Sequence, residues 1–298
     1  MAAPVVGLLY LPVLAWVGVG VALLIAYRGS TSTVVFRLAA TFLAFWAVIA
    51  TTGLVWVLSD GGWAAVVRLA QAPGTIFEPR FATLWIIGAV GAFGIFLAAF
   101  LLSQAVGRGF LAILRPRTMA WPEQLPQPAA PTDLLAFSSP RIEAFSFTLL
   151  QVERRGRLRR RDVVLLSDGL IGALTPLERE AVVAHELGHI RELDGRYLTF
   201  FRTLSRMMRW DPILAFLADR LTQREELRAD LDAVEVTRRP RALARALYKA
   251  SLTDAAGVRP VACLLGPGGR RGRRQAMDRI RRLVALAESG RFPEEPGA

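Results

Sequence analysis

His185-Glu186-Leu187-Gly188-His189 is the stretch of this chain richest in reactive groups. Two imidazoles four residues apart stack on one face of a helix, so both reach a single ion at about 2.0 to 2.1 Å, the length of a zinc–nitrogen bond. The glutamate between them projects beside that face. There it takes a proton from a metal-activated water and passes it to a leaving amine, which is the chemistry of peptide-bond hydrolysis. His185 and His189 are the only histidines in the sequence. Chance would space two lone histidines this way in roughly one chain in 150, which favours a site over a stray pair of surface or core residues.

Zinc held by two histidines needs a third protein ligand and keeps its fourth position for water. No other histidine exists, and Cys263 is the sole cysteine, so the ligand must be a carboxylate or nothing. The best acidic candidates lie in Arg224-Glu225-Glu226-Leu227-Arg228-Ala229-Asp230, with Glu226 37 residues after His189. Glu226 and Asp230 share a helical face. Glu226 could ligate, while Asp230 accepts a hydrogen bond from the far ring nitrogen of a ligating histidine and fixes its tautomer. On spacing alone a solvated, charged helix face accounts for the same residues.

HELGH, Asp194 five residues on, and Glu226-Leu227-Arg228-Ala229-Asp230 as E-x-x-A-D resemble the membrane gluzincins that include the heat-shock protease HtpX and the CAAX prenyl endopeptidases. The resemblance covers roughly residues 140 to 290. It implies one zinc ion per chain on His185, His189 and Glu226, catalysis by Glu186 and a supporting role for Asp230. It also implies a substrate cleft lined by an edge segment, where the family's frequent Asn-Ala-Phe reads Glu143-Ala144-Phe145 here. An extended substrate is therefore expected along Ala144, Phe145, Ser146 and Phe147, added as a further strand. Tyr197 and neighbouring arginines are candidates for stabilising the oxyanion.

The helix that carries the histidines announces its own start. Thr175-Pro176-Leu177-Glu178 offers an N-cap threonine, a proline at the first helical position and a capping-box glutamate, so the helix should begin at Pro176. Gly188, costly inside a helix, would let another backbone or the substrate approach closely. Upstream, the apolar runs Phe145 to Val152 and Val163 to Ser167 flank the basic turn Arg154 to Arg161 and read as a β-hairpin. Helices follow. Tyr197 to Leu221 carries scattered charges and reads as an amphipathic helix or pair.

Ahead of this domain the chain changes character. Residues 1 to 106 hold four of the 37 basic residues and two of the 25 acidic ones, although the net charge is +12. Three uncharged runs, about 5 to 27, 38 to 58 and 81 to 106, are long enough to cross a bilayer. Five prolines between Pro116 and Pro131 mark residues 107 to 139 as an extended linker, with the peptidase domain over 140 to 298. The expected architecture is an α-helical membrane domain of three transmembrane helices, then an α+β zincin-like domain with a small antiparallel sheet and the HExxH helix.

Arg28, Arg37, Arg108, Arg115 and Arg117 outweigh Arg68 and Arg80 across the spans, which places the N-terminus outside and the large domain in the cytoplasm, at the plasma membrane. Arg154 to Arg161, and Arg270 to Arg274 in a glycine-rich loop, are solvated loops or contacts to anionic lipid; no nucleic-acid module accompanies them. The reading is a membrane-anchored zinc endopeptidase acting on membrane or misfolded proteins. A signalling receptor metalloprotease and a non-catalytic scaffold with structural zinc are the alternatives.

Overall fold

The computed structural model describes chiefly residues 39–48, 79–123, 131–152, 158–191, 194–208, 211–253 and 269–292, with a few isolated positions besides. The chain divides into two compact units, Met1–Leu101 with Phe201–Arg220, and Leu102–Phe200 with Leu221–Ala298.

In the first unit, helix α1 (Ala39–Val48) buries an alanine-rich face formed by Ala39, Ala40, Ala44 and Ala47 with Leu43. Phe45 meets Phe96 of helix α2 (Pro79–Leu114) edge-on at 6.2 Å. Among the described residues, Val90–Leu114 of α2 is the one helix long and apolar enough to cross a membrane. Val90, Phe93, Leu97 and Leu101 remain exposed along it at helical spacing, an apolar stripe that water would not favour. The first expected span lies almost wholly outside the described residues, and only α1 represents the second.

The second unit is built on a four-stranded sheet of β1 (Arg117–Thr118), β2 (Thr132–Phe137), β3 (Ala144–Val152) and β4 (Leu158–Ser167), in the order β1-β2-β4-β3. The expected hairpin is present as the antiparallel pair β3 and β4. The sheet is nevertheless mixed rather than antiparallel, because β2 runs parallel to β4. Strand β2 comes from the proline-rich stretch read as linker. Its short run Thr132-Asp133-Leu134-Leu135-Ala136-Phe137 follows Pro131 directly, and the surrounding prolines masked its strand character. With neighbours on both sides, β4 is the central strand and its Val163, Val164, Leu165 and Leu166 are buried.

Alternation along the strands gives the sheet two different faces. Leu134, Ala144, Val164 and Leu166 join a core with α4 (Pro176–Arg191), α7 (Pro240–Thr253) and α8 (Gly269–Glu288). Leu135, Phe137, Phe145, Phe147, Leu149, Val163 and Leu165 form the opposite face, packed against Phe110, Leu111 and Leu114 at the end of α2. Short helix α3 (Asp168–Ala173) links β4 to α4 and is capped by Ser167. Helices α5 (Asp194–Met207) and α6 (Pro212–Thr237) fill the interval where an amphipathic pair was expected, and Asp211 caps α6 through the amides of Ile213 and Leu214.

Arg270 to Arg274, expected in a loop, fall within the first turns of α8. Of the arginines near the hairpin turn, Arg160 is taken up internally. It pairs with buried Asp162 and donates to the carbonyl of Ile190, tying β4 to the end of α4. Arg161 pairs with Asp133 at 2.7 Å. Arg154, Arg155 and Arg157 lie outside the described residues.

Candidate metal centre

Helix α4 starts at Pro176 as its capping signal requires. Thr175 Oγ1 accepts from the amide of Glu178 at 3.3 Å, and Glu178 Oε2 accepts from the amide of Thr175 at 2.9 Å. Glu178 is buried, and Lys249 of α7 donates to it at 2.7 Å, so one side chain closes the helix terminus and fastens α7 to it. The cap fixes where α4 begins, and on that helix His185, Glu186 and His189 are all buried.

The second half of the site arrives on α6, and small residues decide how close it comes. A Cβ placed on Gly188 would meet Ala229 Cα at 3.1 Å and Ala229 Cβ at 3.3 Å. Glycine at 188 and alanine at 229 thus let the two helix backbones nearly touch. Glu226 and Asp230, flanking Ala229 on the same helix, are carried up to the histidines.

His185 Nε2 lies 3.5 Å and His189 Nε2 3.9 Å from Glu226 Oε2. One donor atom from each of the three residues falls within 4.8 Å of the others. Ligands about 2.0 to 2.2 Å from one tetrahedral ion sit roughly 3.3 to 3.5 Å apart, so these buried side chains fit a metal after small adjustment. His185 Nδ1 lies 3.0 Å from Asp230 Oδ1, which directs the ring proton to Nδ1 and leaves Nε2 for the ion.

Sequence reasoning missed Arg279. Its Nε and NH2 donate to the two oxygens of Asp230 at 2.8 and 2.6 Å, and NH1 lies 2.8 Å from Glu226 Oε2. A signal existed. On α8, Ala276, Arg279 and Leu283 share the buried stripe, and a charge on such a stripe requires a buried counter-charge.

These neighbours set the charges. Burial disfavours the Glu226 carboxylate, but the Arg279 charge and the contacts of His185 and His189 outweigh it and hold Glu226 well below the carboxylate range. Asp230 is likewise held low against burial by Arg279 and His185. Burial opposes a charge on His185, yet Asp230 and Glu226 raise its pKa to about 9 in the metal-free protein. Glu186 shifts the other way: burial pushes its carboxyl up, offset in part by His185 and by a hydrogen bond with Ser146.

Ser146 belongs to β3, which stands at the edge of the sheet. The amide of Leu150 donates to Gln104 and its carbonyl accepts from Arg108, both on α2, so the backbone of Leu150 points away from β4. By the two-residue repeat of an antiparallel ladder, Ala144, Ser146 and Thr148 turn their backbone groups the same way. Phe145 and Phe147, also expected along the substrate, place their side chains in the core beside Phe110. The side chain of Tyr197 lies outside the described residues.

A buried pair of imidazoles with a converging carboxylate is a donor set that could hold a metal ion, and Glu186 stands beside it. Residues 124–218 match the model of Peptidase family M48, which supports an HtpX- and CAAX-protease-like peptidase. The match ends before Glu226 and Asp230, so their part in the centre rests on the distances above. No curated protein and no solved structure matches the chain.

Proposed function

We propose that this chain is a membrane-anchored, zinc-dependent endopeptidase. The observation that carries the reading is the convergence of His185 Nε2, His189 Nε2 and Glu226 Oε2 beside the buried carboxylate of Glu186. These three side chains would hold one zinc ion, which when bound lends Lewis acidity to a water and to a substrate carbonyl. Glu186 takes a proton from the attacking water and delivers it to the departing amine; the upward push of burial on its carboxyl brings it nearer the acidity such a relay needs. Asp230 holds His185 in the ligating tautomer.

The substrate, a membrane or misfolded protein, lies extended on the outer edge of β3 and pairs with the backbone of Ala144, Ser146 and Thr148. That alignment brings a peptide bond past Ser146 to Glu186. The exposed apolar stripe of α2 supports anchoring in the bilayer; the uncharged runs support three spans, and the arginine distribution supports an outside N-terminus and a cytoplasmic catalytic domain at the plasma membrane. Arg274, exposed on α8, belongs to the basic cluster that would meet anionic lipid.

Purified full-length protein in detergent should contain one zinc per chain and cleave casein. Chelation should abolish cleavage and zinc should restore it. Fully metallated protein that splits no peptide or protein would remove the proposal.

A further inference from the structure

We infer that Arg279 is a positioning residue of the metal centre: its guanidinium locks the ligating Glu226 and the histidine-orienting Asp230 into one arrangement. The inference rests on the proposed zinc site and concerns a residue outside the family match.

Glu226 and Asp230 are one helical turn apart, and as like charges in a buried place they repel. Arg279 meets both at once. Two of its nitrogens form a fork on the two oxygens of Asp230, and the third reaches Glu226 Oε2, the oxygen that faces the histidines. NH2 also lies 3.4 Å from His185 Nε2. A planar guanidinium satisfies these directions together; an ammonium, one point charge, cannot. Arg279 is itself buried, so little water competes for its donors.

Charge gives the same answer. Glu186, Glu226 and Asp230 are three buried carboxylates, and Arg279 is the guanidinium set among them. With neutral histidines this group carries two negative charges when ionised, which a divalent ion would cancel. Without Arg279 one negative charge is left over, and both α6 carboxylates lose the contact that fixes their rotamers. Arg279 also comes from α8, so the last helix of the domain completes a centre whose other members lie on α4 and α6.

The test uses full-length protein in detergent and the variants Arg279→Ala and Arg279→Lys, with Glu226→Ala as control. Zinc affinity is measured by competition with a chromophoric chelator, and ligand geometry by the visible absorption of the cobalt-substituted protein. Both Arg279 variants should keep their helical circular dichroism, bind zinc about 10- to 100-fold more weakly and shift the cobalt bands. Millimolar guanidinium should restore part of the affinity to Arg279→Ala and none to Glu226→Ala, a rescue that a purely structural arginine would not show.

Arg279→Lys decides the matter if the alanine variant does not fold. Wild-type zinc affinity and an unchanged cobalt spectrum in a folded variant would overturn the role of Arg279 alone. A wild type that binds no zinc would overturn the proposed function, and this assignment with it.

Discussion

The two faces of strand β3 make an instructive contrast. Ala144, Ser146 and Thr148 are small or polar and turn towards the core that holds α4, where Ser146 meets Glu186. Phe145, Phe147 and Leu149 alternate with them and pack against the end of α2. One face borders the candidate metal centre and the other packs on the end of α2. The same nine residues therefore meet Glu186 on one side and Phe110, Leu111 and Leu114 on the other. A one-residue slip of register would exchange the two sets.

Damage on the two faces should separate. The largest effect belongs to the chemistry: Glu186→Gln should retain zinc and fold but lose about 10²- to 10⁴-fold in turnover, as measured on casein or a fluorogenic peptide. On the opposite face, Phe145→Ala should cost about 3 to 5 kcal/mol of stability, read from denaturant unfolding of the protein in detergent. Phe145 is buried, with Phe110 5.2 Å and Phe137 5.7 Å away.

Acidity supplies the next effect. His185 must lose its proton to ligate, and in the metal-free protein its pKa is raised to about 9. Zinc affinity should therefore rise about tenfold per pH unit from neutrality until about pH 9, then flatten, in a chelator titration corrected for hydroxide binding. Stability of the metal-free protein moves oppositely. The His185 contribution is complete below its unfolded value near 6.5 and is lost as pH rises through about 9. Glu226 and Asp230, both lowered, contribute above the ordinary carboxylate range and lose that contribution in acid. The smallest effect is that of Ser146→Ala, about 1 kcal/mol or roughly fivefold in turnover.

Legibility in the sequence followed how local each determinant is. The start of α4 was readable because a capping box is written in four consecutive residues, and the histidine pair because four residues make one turn. Glu226 and Asp230 were readable as a pair on one face, and Gly188 as a place of close approach. Which backbone approaches, that of Ala229, is a tertiary fact. Strand β2 was hidden by prolines that bound it without entering it, and its parallel pairing with β4 depends on partners distant in sequence. Arg279 sat in plain view on the buried stripe of α8, but its partners lie about 50 residues earlier, and no local pattern names them.

The measurement that bears most directly on the metal centre is anomalous diffraction at the zinc edge from crystals of the full-length protein. The expected result is one peak, about 2.0 to 2.2 Å from His185 Nε2, His189 Nε2 and a Glu226 oxygen. A zinc-saturated crystal with no peak among these three side chains, or with the metal held elsewhere, would contradict it.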